Sequence, residues 1–97
     1  MATFVMLANF TEQGIRNVKD SVKRAEAFKE TAKVAGVTVK ELYWTLGAHD
    51  IVVTAEAKDE MAVTALGLTL AKAGNVRTQT LRAFGASEMT EILGKVK

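Results

Sequence analysis

The residues Glu41–Ala57, with the sequence ELYWTLGAHDIVVTAEA, decide the fold of this chain. Apolar and polar side chains alternate on both sides of a short segment that contains glycine, which is the pattern of two strands joined in a β-hairpin. The predicted connection is Gly47–His49, so the strands run up to Leu46 and onward from Asp50. The segment also holds the only histidine, tryptophan and tyrosine of the chain. We therefore expect a site to lie near this hairpin.

The residues before the hairpin predict one strand and two helices. Residues 3–10 are apolar and uncharged, as in a strand that is covered on both faces. A short helix is predicted over about residues 12–18, because polar capping residues precede it and interrupt it. A longer helix then begins at Asp20 or Ser21 and ends at Gly36, which is expected to adopt the left-handed conformation.

The residues after the hairpin predict a second half with the same layout. A helix begins at Asp59, where negative charge is favourable, and ends at Gly74. Gly67 in its middle lowers helix propensity, which predicts close packing against a neighbouring backbone. Residues 75–84 are predicted to form the last strand, and Ser87 is expected to cap a short final helix.

The order strand, helix, strand, strand, helix, strand is that of the split βαβ, or ferredoxin-like, arrangement. We predict a single α+β domain over residues 1–97, in which a four-stranded antiparallel sheet carries its helices on one face and a short C-terminal helix follows. Nothing in the chain covers the other face, although Val5 and Leu7 on the first strand are apolar there. Such a patch predicts a homo-oligomer, a dimer or larger, formed through the open sheet face.

Composition narrows the classes of function. The 97 residues are 48% hydrophobic and 25% charged, which is typical of a globular domain. Cysteine is absent, which excludes a thiolate nucleophile and a cysteine-based metal site. With one histidine the chain also lacks a usual set of metal ligands, so we predict no metal site and no cofactor.

Neither the charge pattern nor the hydropathy of the chain indicates a nucleic acid or membrane partner. The net charge is +2, and acidic and basic residues alternate along the first long helix, as on a solvated surface. The strands lack the aromatic and basic residues of an RNA-binding sheet, so we predict no nucleic acid partner. No segment is long and apolar enough to span a membrane, and the N-terminal residues lack the basic region of a signal peptide. We expect no membrane partner and a cytoplasmic location.

Three blocks of the sequence resemble the GYD-domain family, and together they extend over nearly the whole chain. They are TEQGIRNVKDS (Thr11–Ser21), LYWTLGAHDIVV (Leu42–Val53) and GNVRTQTLRAF (Gly74–Phe84). The resemblance implies a small ferredoxin-like protein of the dimeric α/β-barrel kind. It implies no biochemical activity, because the family has no established one.

One position departs from the family pattern. The family is named after a Gly-x-Tyr-Asp segment, and here Gly47 and Asp50 match while His49 takes the aromatic position. A role for a phenol cannot be transferred to this position, because imidazole can act as a base, an acid or a ligand near neutral pH.

His49 and Asp50 are the candidate catalytic residues. In one interpretation His49 is a general base or metal ligand, with Asp50 as its orienting residue or as a second ligand, and Arg77 or Arg82 holds an anionic substrate. In the other, Gly47 provides a tight turn and Asp50 bonds to backbone amides, so the pair is structural. Adjacent strand residues point to opposite faces, which favours the structural interpretation.

Other residues are candidates for ligand binding. Trp44 could stack on a planar ligand, although one of Tyr43 and Trp44 must instead fill the core on the helix side. Thr11, Gln13 and Arg16 at a helix start form a plausible anion site, or simply a helix cap followed by a solvated face.

Arg82 falls on the same side of the last strand as two apolar residues. A buried arginine needs an acidic or carbonyl partner, and Asp50 or Glu41 is expected to provide it.

Two functions remain open from the sequence. The first is a small oligomeric protein that binds a small molecule or serves as an accessory or assembly factor. The alternative is a cofactor-independent enzyme of the dimeric α/β-barrel kind, a monooxygenase or isomerase. The enzyme should enclose a cavity of about 300 Å³ or more between sheet and helices. The residues expected to line it are Trp44, His49, Asp50, Arg77 and Arg82.

Overall fold

A computed structural model, which describes residues 1–97, contains one antiparallel sheet and its helices. In chain order the elements are β1 (Ala2–Phe10), α1 (Glu12–Arg16), a 3-10 turn (Val18–Asp20), α2 (Ser21–Val34), β2 (Val37–Trp44), β3 (Ile51–Ala57), α3 (Glu60–Ala73), β4 (Val76–Ala83) and α4 (Ala86–Gly94). The strand order is β2-β3-β1-β4, and each neighbouring pair is antiparallel. The predicted α+β ferredoxin-like fold is confirmed.

Strand β1 lies at the centre of the sheet and directs alternate side chains to the helices. Phe4 and Met6 are almost completely buried and pack with side chains of α2 and α3. Burying side chains of this size stabilises the fold by about 1.5–3 kcal/mol each. The buried core consists of Phe4, Met6, Phe28, Ala32, Val37, Val53, Ala55, Ala57, Val63 and Leu66.

The other side of the sheet is not covered by the helices that bury Phe4 and Met6. Val5 and Leu7 of β1 point to this side and lie in register with neighbours on both adjacent strands. Leu81 on β4 is 41% exposed. We call the patch formed by Val5, Leu7, Val52 and Leu81 the open face.

The start of α1 and both ends of α3 follow the expected capping chemistry. The Thr11 hydroxyl accepts a hydrogen bond from Gly14 N at 3.1 Å, and Asp59 accepts one from Ala62 N at 3.0 Å. Helix α3 ends at Gly74, whose φ of 87° is left-handed. The predicted interruption between the two N-terminal helices is confirmed, because α2 begins at Ser21.

Strand β2 and the hairpin are less regular than predicted. The pairing moves from Val39↔Ala55 to Glu41↔Thr54, so Lys40 occupies a β-bulge. The connection extends over Thr45–Asp50 rather than Gly47–His49, because β2 ends at Trp44 and β3 begins at Ile51. Backbone bonding within the connection continues, since Thr45 N donates to Asp50 O at 2.8 Å.

The cap of the last helix was predicted wrongly. Helix α4 begins at Ala86 with Gly85 as its N-cap, so Ser87 already lies inside the first turn. The Glu88 carboxylate accepts a hydrogen bond from Gly85 N at 3.2 Å. Glu88 therefore pairs with the N–H of the cap residue itself, and no hydroxyl caps the first turn of α4.

Close backbone packing occurs at Gly14 and not at Gly67. A Cβ at Gly67 would meet only the Thr78 hydroxyl, at an ordinary 3.6 Å. A Cβ at Gly14 would lie 2.0 Å from the carbonyl oxygen of Asn75. The prediction for Gly67 is therefore wrong, and it is Gly14 whose missing side chain allows α1 to meet the start of β4.

These two glycines provide a matched pair of variants. Gly14→Ala should lower the free energy of unfolding by about 1–3 kcal/mol, because the methyl group overlaps a backbone atom. Gly67→Ala should leave it unchanged or raise it by up to about 1 kcal/mol, because alanine favours the helix. Urea unfolding monitored by circular dichroism measures both. Equal effects of the two substitutions would contradict the close approach at Gly14.

Candidate functional site

A cavity of about 280 Å³ lies between the helices and one end of the sheet. Its floor is a row of paired residues across all four strands, and small side chains in this row leave room beneath the helices. The row consists of Trp44, Ile51, Ala8 and Thr78. Alanine also occupies three of the positions from which α2 and α3 line the cavity, namely Ala25, Ala27 and Ala73. The space therefore arises because alanine stands where larger apolar residues would fill the core.

Most of the cavity wall is apolar. Trp44 is 44% exposed and lines the cavity, so one part of its ring is accessible from solvent. The larger apolar residues of the wall are Met6, Phe10, Phe28, Leu42, Trp44, Ile51, Val53, Leu70 and Val76. Tyr43 points to the opposite side of the sheet, where its hydroxyl donates to Glu41 at 3.1 Å. That hydrogen bond and the negative charge of Glu41 raise the pKa of Tyr43.

Arg24 is the single charged residue in the cavity wall. It is half-buried, and its guanidinium donates to Asn17 O at 2.7 Å, to the Ser21 hydroxyl at 3.4 Å and to Gly14 O at 3.5 Å. All three acceptors are neutral. Arg24, a residue of α2, is thus hydrogen-bonded to Gly14 of α1 and to Asn17, which follows α1. No acidic side chain pairs with its charge.

Asn75 is a second polar residue of the cavity wall, and its amide orientation follows from its neighbours. Gln13 Nε2 donates to Ala73 O at 3.1 Å and to Asn75 Oδ1 at 3.0 Å. A carbonyl can only accept, which fixes the nitrogen of Gln13 and therefore the oxygen of Asn75. The Asn75 amide nitrogen makes no hydrogen bond within the chain.

His49 lies on the hairpin connection, outside the cavity. Its Nδ1 is 3.0 Å from Asn9 Oδ1, and Asn9 Nδ2 donates to Ala48 O at 2.8 Å. The bond to Ala48 fixes the Asn9 amide, so Nδ1 of His49 is the donor and Nε2 carries the lone pair of the neutral ring. The Thr45 hydroxyl donates to His49 O at 2.6 Å and holds the turn.

Asp50 bonds to the backbone of β1. Its carboxylate accepts a hydrogen bond from Phe10 N at 2.9 Å, and its own N–H donates to Ala8 O at 2.9 Å. The hairpin is thereby attached to the end of the central strand. This geometry is that of the structural alternative, because the carboxylate is not directed at His49.

The predicted anion-site residues also make contacts within the chain. The Thr11 hydroxyl donates to Gly74 O at 2.6 Å, and Gln13 holds Asn75 as described above. Arg16 is exposed and lies 3.8 Å from Glu12 in an ion pair. Thr11 and Gln13 thus connect α1 to the end of α3, and none of the three lines the cavity.

Arg82 pairs with an acid that the sequence reasoning did not choose. Its guanidinium lies 3.0 Å from the Glu88 carboxylate and packs over the Phe84 ring. The hydrogen bond from Arg82, followed by that from Gly85 N, lowers the pKa of Glu88 below its ordinary value. Asp50 cannot be the partner, because Arg82 is in register with Phe4 at the far end of the sheet.

Arg77 lies outside the cavity as well, since it is exposed and in register with Asn9. Glu41, the other acid expected to pair with Arg82, instead accepts from the Thr54 hydroxyl at 3.2 Å. Of the residues expected to line an enzyme pocket, the structure brings only Trp44 to the cavity. No cluster of histidine and acidic side chains in the structure is suited to hold a metal ion.

Sequence reasoning missed Arg24 and Asn75. Arg24 was interpreted as part of a solvated helix surface, because charges alternate along that helix. The helical spacing of Arg24 and Phe28 would have shown that both share one face of α2. For Asn75 no signal was available, because its position depends on contacts with Gln13 from a distant part of the chain.

The family model of the GYD domain matches residues 4–93 of the sequence. This chain belongs to the GYD domain family. The GYD chain is also similar in structure to TTHA0845 from Thermus thermophilus, known from its crystal structure, with 25% sequence identity and a TM-score of 0.58. The match covers 89% of this chain and 96% of that one. No curated protein matches the GYD chain. None of its helices has the length and apolar character needed to cross a membrane.

The hairpin contacts of this GYD domain predict different effects for its two candidate catalytic residues. Asp50→Ala should lower the free energy of unfolding by about 1–3 kcal/mol, because Phe10 N loses its acceptor. Asp50→Asn keeps an acceptor oxygen and should recover most of this loss. His49→Ala should change stability by about 0.5 kcal/mol or less, since its bond is exposed. Thermal unfolding measures all three, and a larger loss for His49→Ala than for Asp50→Ala would contradict the assignment.

Proposed function

We propose that this GYD domain binds a small, mainly apolar molecule in the cavity between α2, α3 and the sheet. The observation that carries the proposal is a cavity of about 280 Å³ with a largely apolar wall. This volume is close to the lower end of the range of ligand sites, about 300–1,000 Å³. The partly exposed Trp44 ring at its wall offers a surface on which a ligand can pack.

The size of the cavity limits the size of the ligand. An apolar cavity of about 150 Å³ is known to hold one benzene molecule, so this one suits about ten to twelve non-hydrogen atoms. Each Å² of apolar surface removed from water contributes about 25 cal/mol, which favours a hydrocarbon chain or ring over a polar molecule.

The chemistry of the wall supports binding rather than catalysis. Neither histidine nor a carboxylate lines the cavity. His49 is held on the hairpin by Asn9, and Asp50 is held by the backbone of β1. A reaction in this cavity would therefore lack the usual side chains for general acid or base catalysis.

Titration with 1-octanol tests the proposal, because the fluorescence of Trp44, the only tryptophan, reports on the occupied cavity. Octanol should produce a saturable change in emission. Ala25→Leu fills the cavity and should weaken binding about tenfold or more, equal to about 1.4 kcal/mol. The control is Ala71→Leu, an exposed alanine on α3 outside the cavity, which should bind like the parent protein. Absence of a saturable change, or equal loss in both variants, would refute the proposal.

We also propose that a second copy of the chain covers the open face. Val5, Leu7, Val52 and Leu81 form an apolar patch, and both edges of the sheet carry charged residues beside it. Glu41 lies on β2 and Arg77 on β4, both on the open-face side. A two-fold axis parallel to the strands places β2 of one copy over β4 of the other. Glu41 is level with Val5 and Arg77 with Asn9, so these charges lie about 13 Å apart along the strands and do not form an ion pair.

Substitution at the centre of the open face tests this assembly. Leu7→Glu should convert a dimer or larger oligomer into a monomer, because it buries an unpaired charge in the interface. Leu68→Glu is the matched control, since Leu68 is 67% exposed on α3 and away from the open face. Size-exclusion chromatography with light scattering gives the masses. A parent protein that is monomeric at micromolar concentration would exclude the proposed assembly.

A further inference from the structure

We infer that the ligand of the cavity is an apolar monocarboxylate, and that Arg24 and Asn75 bind its carboxylate group. The inference rests on the proposed function, because it concerns the polar end of the same cavity. Arg24 and Asn75, at one end of the wall, would bind the carboxylate. The apolar part of the wall would contact the hydrocarbon part of the ligand.

The charge of Arg24 has no counterion within the chain. The four ion pairs of the structure involve Arg16, Lys29, Lys40 and Arg82 instead. Arg24 is half-buried beside a largely apolar wall that includes no acidic residue. A cation in such surroundings attracts an anion more strongly than a fully solvated one does, because water screens it less.

The guanidinium of Arg24 also retains free donors. An arginine side chain has five N–H groups, and the structure gives this one three acceptors. At least two N–H groups therefore remain for a ligand. The remaining N–H groups lie on Nε and Nη1, each of which can donate one charge-assisted hydrogen bond to a carboxylate oxygen, and one guanidinium balances one negative charge.

Asn75 adds a donor to the same end of the cavity. Its side-chain oxygen accepts from Gln13, and its backbone oxygen accepts from Thr11 N at 3.1 Å. Its amide nitrogen makes no hydrogen bond within the chain, so this residue can donate to a ligand. Gly14 lies between the two residues, because Arg24 donates to its carbonyl and the backbone of Asn75 packs against it, so both residues lie near the same end of the cavity. A site built from donors alone favours a group that only accepts, such as a carboxylate.

The remaining wall defines the body of the ligand. Phe10, Leu42, Trp44, Ile51 and Leu70 are apolar and line the same cavity. A molecule whose carboxylate reaches Arg24 therefore places its hydrocarbon part among these side chains. A medium-chain fatty acid or a small aromatic acid has this shape, and octanoate is the simplest probe.

Comparison of octanoate with 1-octanol isolates the carboxylate, because both have eight carbon atoms. With Trp44 fluorescence as the readout, octanoate should bind about tenfold or more tightly than octanol, as expected for a charge-assisted hydrogen bond. Arg24→Met should reduce octanoate binding to the level of octanol and change octanol binding less than about twofold. The preference for octanoate should also decrease at about 1 M salt, which screens the charge.

Three further variants distinguish ligand binding from a structural role of Arg24. Arg24→Lys keeps the charge and should retain part of the preference, with the fold checked by circular dichroism. Asn75→Asp keeps the oxygen that Gln13 needs and replaces the free donor by a negative charge, so it should abolish the preference for octanoate. Arg16→Met is the control, because Arg16 is exposed and does not line the cavity. It should bind both probes like the parent protein.

The outcomes separate this inference from the proposed function. If octanol binds and octanoate binds no more tightly, the carboxylate site is refuted and the apolar cavity is retained. If neither probe binds, the proposed function itself fails. If Arg24→Met weakens both probes equally, or Arg16→Met weakens octanoate as much as Arg24→Met does, Arg24 does not recognise the carboxylate.

Discussion

The pairing of β1 with both β3 and β4 is the constraint on which the rest of the structure depends. Its register sends Phe4 and Met6 to the helices and Val5 and Leu7 to the open face. A shift by one residue would exchange the two sets, because successive strand residues point to opposite faces. The core, the cavity floor and the uncovered patch all follow from this one register.

The cavity is a consequence of where small residues fall along that register. At the level of Phe4 and Met6 the side chains meet α2 and α3 and fill the space. At the level of Ala8 the strand contributes only a methyl group, and Ala25, Ala27 and Ala73 are among the helix residues that line the cavity. Packing density therefore decreases toward the end of the sheet where Trp44 lies, and the hairpin closes this end through the bond between Asp50 and Phe10 N.

The candidate catalytic residues and the cavity are separated because they belong to different faces of the same hairpin. Trp44 and Ile51 point toward the helices, whereas His49 bonds to Asn9, which belongs to the opposite side of β1. The bulge at Lys40 contributes to this arrangement, since it sets the phase in which Leu42 and Trp44 turn toward the cavity. Trp44 and His49 are therefore close in the sequence, but the pleat of the sheet directs them to opposite faces.

The sequence by itself determined the order of the elements, the ends of α3 and the fold class, because these depend on local capping and on the two- and three-to-four-residue spacing of apolar side chains. It left open whether Tyr43 or Trp44 faces the helices, and the bulge at Lys40 is what turns Trp44 to that side. Only the tertiary structure decided that Arg82 pairs with Glu88, that Gly14 contacts Asn75 and that Arg24 lines a cavity. These contacts join residues whose distance in space is set by strand register and helix packing, and no local pattern encodes that distance.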